Sequence, residues 1–262
     1  MESYKDLLRS VLRNGYRRPN RTGIYGVSVF GLNFEHDMRT GLPILTTKKI
    51  YTKGCIHELL WFLKGDTNIK YLTDNNVHIW DKWADENGDL GPVYGKQWTA
   101  SGANRVNQVQ YVIDELKNNP YSRRIIIDGW SPSELKDMAL PPCHVLYQFY
   151  AEPETNRLSL QVYMRSADLF LGVPFDIAEG GLLLSMVAKV TGYNPYKLLY
   201  SFGDAHIYMN HIEAVYTQLD RTCLGLPTLD LPYKDSIFDY KFEDFKINNY
   251  VHQGAIKADV AI

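Results

Sequence analysis

An α+β fold, with helices and strands mixed rather than strictly alternating, is what this sequence predicts. Three observations carry that expectation. Apolar residues recur at helical spacing near the N-terminus and again after position 108. Runs of β-branched and aromatic residues with strand-like alternation lie on both sides of those segments. One late apolar stretch is too long for a strand. The chain has 262 residues, 45% of them hydrophobic, which suits one large domain spanning residues 1–262.

Taken in order, residues 4–14 place Leu7, Leu8, Val11 and Leu12 on one face of an opening amphipathic helix. Residues 23–35 alternate as a strand or hairpin would. Residues 56–63 read as a mostly buried helix stopped by Gly65. Residues 109–118 form another amphipathic helix and 123–130 another strand, with further strands at 145–152 and 158–164. Residues 177–190 predict a long buried helix, despite Gly180 and Gly181, each costing about 1 kcal/mol in mid-helix relative to alanine. From Phe238 the tail carries alternating segments and ends on Val260-Ala-Ile262. There is no internal repeat and no low-complexity linker.

A net charge of −2 gives no reason to expect nucleic acid or a membrane surface as a required partner, although local arginines still allow a small anionic substrate. The three cysteines, Cys55, Cys143 and Cys223, show no CxxC spacing, so neither a disulfide framework nor a zinc site is expected. A reducing cytoplasm is the expected compartment. The polar opening lacks a signal-peptide core, and no apolar run is long enough to span a bilayer.

Four segments can carry chemistry. In Leu140-Pro-Pro-Cys-His144 two prolines hold the approach to Cys143 rigid and non-helical, His144 could assist a thiolate, and nearby arginines would lower the thiol's pKa. Alone, such a run is more often a buried structural cysteine. Downstream, Arg165 and Ser166 suit a phosphate, and Asp168 and Asp176 flank a Gly-Val-Pro turn, where aspartates ordinarily serve as turn and cap residues. Arg123 and Arg124 are either a solvated strand end or a second phosphate clamp. His206, Tyr208 and His211 lie close in sequence, but no HExxH or third-ligand pattern supports a metal.

Together these segments resemble thymidylate synthase over nearly the whole chain. The matching runs include Arg21-Thr-Gly23, Pro43-Ile-Leu-Thr-Thr-Lys-Lys49, Glu58-Leu-Leu-Trp-Phe62 and Ile79-Trp-Asp-Lys-Trp83. Others are Gly91-Pro-Val-Tyr-Gly-Lys-Gln-Trp98, Leu140-Pro-Pro-Cys-His144, Arg165-Ser-Ala-Asp168 and Gly203-Asp-Ala-His-Ile-Tyr208. The resemblance implies a mixed sheet packed with helices, a homodimer with shared active sites, and 5,10-methylenetetrahydrofolate as carbon donor. It implies that Cys143 attacks C6 of a pyrimidine deoxynucleotide, activating C5. Arg21, Arg165 and Ser166, with Arg123 and Arg124 of the other subunit, would hold the phosphate. His206 and Tyr208 would bind the 3′-hydroxyl. Glu58 would organise proton transfers with His144 and Tyr94 in support. Ile79, Trp80, Trp83, Asp168, Gly172, Phe175 and Ala261 would contact the folate.

The chain departs from the family's Pro-Phe-Asn-Ile run. Asp176 stands where an asparagine reads the uracil edge, and deoxycytidylate hydroxymethylases share that aspartate. A carboxyl can accept from the N4 amino group of cytosine and, if protonated, donate to N3. The expected substrate is therefore dCMP, with dUMP and a protonated Asp176 as the alternative. Glu179-Gly-Gly181 replaces the family's tyrosine-bearing segment, Asn107 stands for an acidic residue, and His252-Gln253 for His-Pro. Nothing in the sequence explains the last two. Hydride from the folate would give methyl, and water would give hydroxymethyl. Trp80, Trp83 and the terminal Val-Ala-Ile, which in the family closes over the site, favour methyl by shutting water out. The family also binds RNA. A catalytically silent RNA binder is the non-enzyme alternative, against which Cys143, the arginines and the tryptophans argue.

Overall fold

A computed structural model describes residues 1–260; the expected folate contact Ala261 lies outside the described residues. Helix α1 (Glu2–Asn14) buries Tyr4, Leu7, Leu8 and Val11. Strands β1 (Tyr16–Arg18) and β2 (Gly26–Asp37) follow as an antiparallel pair, so the strand or hairpin expected at 23–35 is a single strand beginning at Gly26, its hairpin partner lies before the expected segment, and Arg21 falls in the connecting loop. Helix α2 (Thr52–Leu63) starts a turn before the expected 56. Gly65 ends it at φ +71°, a conformation that glycine adopts without a Cβ penalty. Short helices α3 (Lys70–Asp74) and α4 (Tyr94–Thr99) lead to α5 (Gln108–Asn118). Only Ile126–Asp128 of the expected 123–130 segment pairs as a strand, β3.

Strands β4 (His144–Glu152) and β5 (Arg157–Asp168) form as expected, β5 running past 164. Helix α6 (Gly172–Thr191) begins at Gly172 rather than 177. The Gly-Val-Pro stretch is thus the first turn of a helix, not a turn between Asp168 and Asp176. Pro174 is tolerated there because the first N–H groups of a helix have no helical acceptor. After α6 comes β6 (Asn194–Tyr208), then α7 (Ile212–Asp220) and a small pair, β7 (Thr228–Asp230) with β8 (Lys246–Asn248).

The main sheet runs in the order β1-β2-β6-β5-β4-β3. Among the described residues only β5 and β6 of this sheet are parallel, joined through α6; its other pairs are antiparallel. This mixed sheet packed by helices is the α+β arrangement expected. Its helix-covered core includes Trp61, Phe62, Phe149 and Phe170. On the opposite face Tyr150 (67% exposed) and Tyr163 (39%) stand uncovered.

Two departures that the sequence left unexplained find a physical reason. Asn107 caps α5, its side chain accepting from the N–H of Gln110 at 2.9 Å, and asparagine caps as well as aspartate. The backbone N–H of Gln253 donates to Thr46 at 2.9 Å, a bond proline cannot make. It ties the C-terminal segment down, as does the 2.8 Å contact between His211 Nε2 and the Asp259 carbonyl.

Candidate active site

A cleft of about 680 Å³, counting its solvent-open mouth, opens above the ends of β4 and β5. From α2 comes Glu58, from the segment after α3 come Ile79, Trp80 and Trp83, and from α4 Tyr94. The β strands supply Cys143 and His144 at the start of β4, and Ser166 and Asp168 at the end of β5. Helix α6 contributes Gly172, Asp176 and Glu179. Residues scattered over more than a hundred positions of the chain thus share one wall, mainly apolar with a few polar groups, as small-molecule sites are.

The Pro-Pro-Cys run is held from both sides. Arg165 donates from Nε to the Pro142 carbonyl and from Nη2 to that of Pro141, both at 2.8 Å. The Cys143 N–H donates to the Tyr94 hydroxyl at 2.7 Å. Where β4 pairs with β5 a bulge leaves Val145 as an extra residue between His144 and Leu146. The bulge re-aims the strand end that carries Cys143. Burial raises the Cys143 thiol above its usual range; Arg165 and Arg21 pull it down but do not outweigh burial. The expected lowering by arginines is present, but burial outweighs it and the net direction is upward. His144 does not pair with the thiol either. Its Nε2 lies 3.3 Å from Asp176 Oδ1 on α6.

Asp168 combines both of its expected roles. Oδ1 accepts from the N–H groups of Phe170 (2.9 Å) and Leu171 (3.1 Å), forming the turn into α6, while the residue also lines the cleft. It pairs across the ladder with His206. Residues 203–208 are strand, not helix, and among the described residues no cluster of three His, Cys, Asp or Glu side chains is placed to hold a metal. Burial pulls His206 down, but Asp204, 3.3 Å away, and the charge of Asp168 together more than offset it, and the imidazole is raised above its usual value. His206 and Tyr208 flank the cleft rather than line it. Phe175 is half-buried against the core. Arg123 and Arg124 are not brought to this cleft: they are exposed before β3.

Trp80 is nearly buried, and its Nε1–H donates to Glu58 Oε1 at 2.6 Å. Burial raises the Glu58 carboxyl well above the carboxylate range, against the lowering effect of that hydrogen bond. Trp80 packs edge-on against Trp83 with ring centroids 5.8 Å apart. The aromatic and apolar wall of Ile79, Trp80 and Trp83 offers the chemistry against which a planar heterocycle packs.

Sequence reasoning missed Tyr200. It reaches across α6, and its hydroxyl donates to the backbone carbonyl of Asp176, steadying the turn that presents the carboxyl. Gly180 makes this possible, since a Cβ there would lie 2.3 Å from the Tyr200 hydroxyl. The glycine that looked like a helix defect is therefore the space for a tyrosine from β6. Gly180→Ala should overpack this contact at a cost of about 1–3 kcal/mol, read as a fall of several degrees in Tm. Adding Tyr200→Phe should recover part of that loss. Equal Tm for Gly180→Ala and wild type would show that the close approach is not real.

No helix among the described residues is long and apolar enough to cross a membrane. The thymidylate synthase family model matches residues 2–262. Members of that family transfer a methyl or hydroxymethyl unit from methylenetetrahydrofolate to C5 of a pyrimidine nucleotide. The match spans nearly the whole chain and includes every element that lines the cleft, so the protein belongs to the thymidylate synthase family.

Proposed function

We propose that this chain acts on dCMP and produces 5-methyl-dCMP. The observation that carries the choice of base is Asp176, a carboxyl on the cleft wall with His144 Nε2 3.3 Å from its Oδ1. Uracil offers O4 as an acceptor, which an ionised carboxylate repels. Cytosine offers an N4 amino donor that a carboxylate accepts, and an N3 acceptor that a proton on the carboxyl satisfies. Protonation at N3 also offsets the negative charge that builds on the ring when the Cys143 sulfur adds to C6.

The remaining roles follow the chemistry of each side chain. Arg21, Ser166 and the free Nη1 of Arg165 hold the 5′-phosphate, and His206 and Tyr208 the 3′-hydroxyl. Glu58 moves protons at the pyrimidine, with Tyr94 holding the Cys143 backbone. Ile79, Trp80, Trp83, Asp168, Gly172 and Phe175 hold the folate, with Ala261 of the tail. When bound, the folate supplies the one-carbon unit and, for methylation, a hydride. Arg123 and Arg124 serve the site of a second copy of the chain, which packs on the sheet face marked by Tyr150 and Tyr163.

Product analysis tests the reading. With dCMP and methylenetetrahydrofolate, 5-methyl-dCMP should accumulate in step with dihydrofolate. Hydroxymethylation is the second reading, favoured by Glu58 and Glu179 on the cleft wall, where carboxyls can orient water. 5-Hydroxymethyl-dCMP with tetrahydrofolate left unoxidised would put it first.

A further inference from the structure

Glu179 is the one cleft carboxyl to which neither the family's pattern nor the proposed methylation gives work. It sits on α6 and is 7% exposed. Its Oε1 is buried and finds no hydrogen-bond donor among the described residues. What it does touch is another carboxyl: Glu58, on α2, is within hydrogen-bond reach. Two acceptor-only groups cannot satisfy each other. A proton on one of them turns the contact into an O–H donor facing an acceptor, which is the arrangement of a carboxyl pair sharing a proton.

We propose that Glu179 is a positioning residue that carries this proton and donates it as a hydrogen bond to Glu58, so that Glu58 stays an ionised base inside a buried site. The inference rests on the reading of Glu58 as the residue that moves protons at the pyrimidine. The asymmetry of the pair assigns the proton. Glu58 already receives the Trp80 N–H at 2.6 Å, which stabilises its charge, whereas Glu179 Oε1 has no such donor among the described residues. Burial raises both carboxyls, and Glu179 lies well above the carboxylate range.

The surroundings of Glu179 reinforce the same assignment. Glu58 and Cys55 face it from α2, Asp176 from its own helix, Tyr147 from β4 and Tyr200 from β6. None of these is cationic. Among the described residues that line the cleft, His144 is the one potential cation, and it stands 3.3 Å from Asp176 Oδ1. A second negative charge next to Glu58 would therefore have no counter-charge of its own. A neutral, protonated Glu179 avoids that and supplies the donor Glu58 needs.

Two variants separate a hydrogen-bond donor from a packing residue. Glu179→Gln keeps an N–H that can donate to Glu58; Glu179→Val removes it. Without the donor, Glu58 protonates more readily. The acid limb of the kcat–pH profile should then move to higher pH by about one to two units, the worth of a hydrogen bond to a charged group. Activity on that limb should fall roughly ten- to a hundredfold in Val and keep the wild-type limb position in Gln. The profile is read with whichever nucleotide the wild type turns over, so failure of the dCMP reading leaves this test intact. An unmoved limb in Val, or equal shifts in Gln and Val, would overturn the proposal.

A readout on the free protein needs no turnover. A carboxyl whose folded pKa is raised contributes fully below its unfolded pKa and loses that contribution as pH rises through the folded value. The Tm advantage of Glu179→Gln over wild type should therefore grow from pH 4.5 upward. A difference that stays flat across that range would show that Glu179 holds no proton in the fold.

Discussion

Cys143→Ala is expected to abolish turnover, by on the order of 10⁴-fold or more, while leaving nucleotide binding largely in place. Removing a nucleophile deletes the covalent step itself rather than a contact, and losses of that size follow when such a residue is taken from a working unit. Binding should survive because the proposed mechanism assigns the phosphate and sugar contacts to other residues: Arg21, Arg165, Ser166, His206 and Tyr208. Steady-state rates and equilibrium titration of the nucleotide check the two halves separately. A variant retaining more than a small fraction of the wild-type rate would remove Cys143 from the mechanism. Its fold should be unaffected, since the strand end is held by Tyr94 through the backbone N–H and by Arg165 through the proline carbonyls, not through the sulfur.

The substrate preference of Asp176→Asn is the second large effect. Wild type should prefer dCMP, and the amide should move preference toward dUMP, because asparagine answers both the O4 acceptor and the N3–H donor. Losing one matched buried polar pair and gaining another is worth about 1–3 kcal/mol each way. The ratio of kcat/KM for the two nucleotides should therefore shift by roughly one to two orders of magnitude or more. Conversion need not be complete, because the Glu58 and Glu179 carboxyl groups stay on the cleft wall with position 176. A wild type that turns over dUMP and ignores dCMP would sink the dCMP reading and leave a thymidylate-forming enzyme with an unusual base reader.

Helices α1 and α5 were legible because each buries one stripe of its own residues, so the information is local. Strand β6 was not legible. It holds Pro195 and Gly203, is hydrogen-bonded on both edges, and takes its partners from β2 and β5, far away in sequence. The first turn of α6 was hidden for a related reason. Gly172 and Pro174 are poor helix formers in general, but Pro174 falls where its missing N–H costs nothing. The net upward direction of the Cys143 thiol was not legible, because charge neighbours can be guessed from motifs, whereas burial cannot, and burial is the larger effect here.

By itself the sequence determined the residue types: a cysteine behind two prolines, paired arginines, an aspartate where the family has asparagine, and the membership that these motifs in order imply. Which of them meet was decided only by the tertiary structure. The encounters of Glu58 with Trp80 and Glu179, of His144 with Asp176, and of Tyr200 with the space above Gly180 all join separate elements. Such contacts depend on helix packing and strand register, which are set by burial of the whole core and not by any local segment.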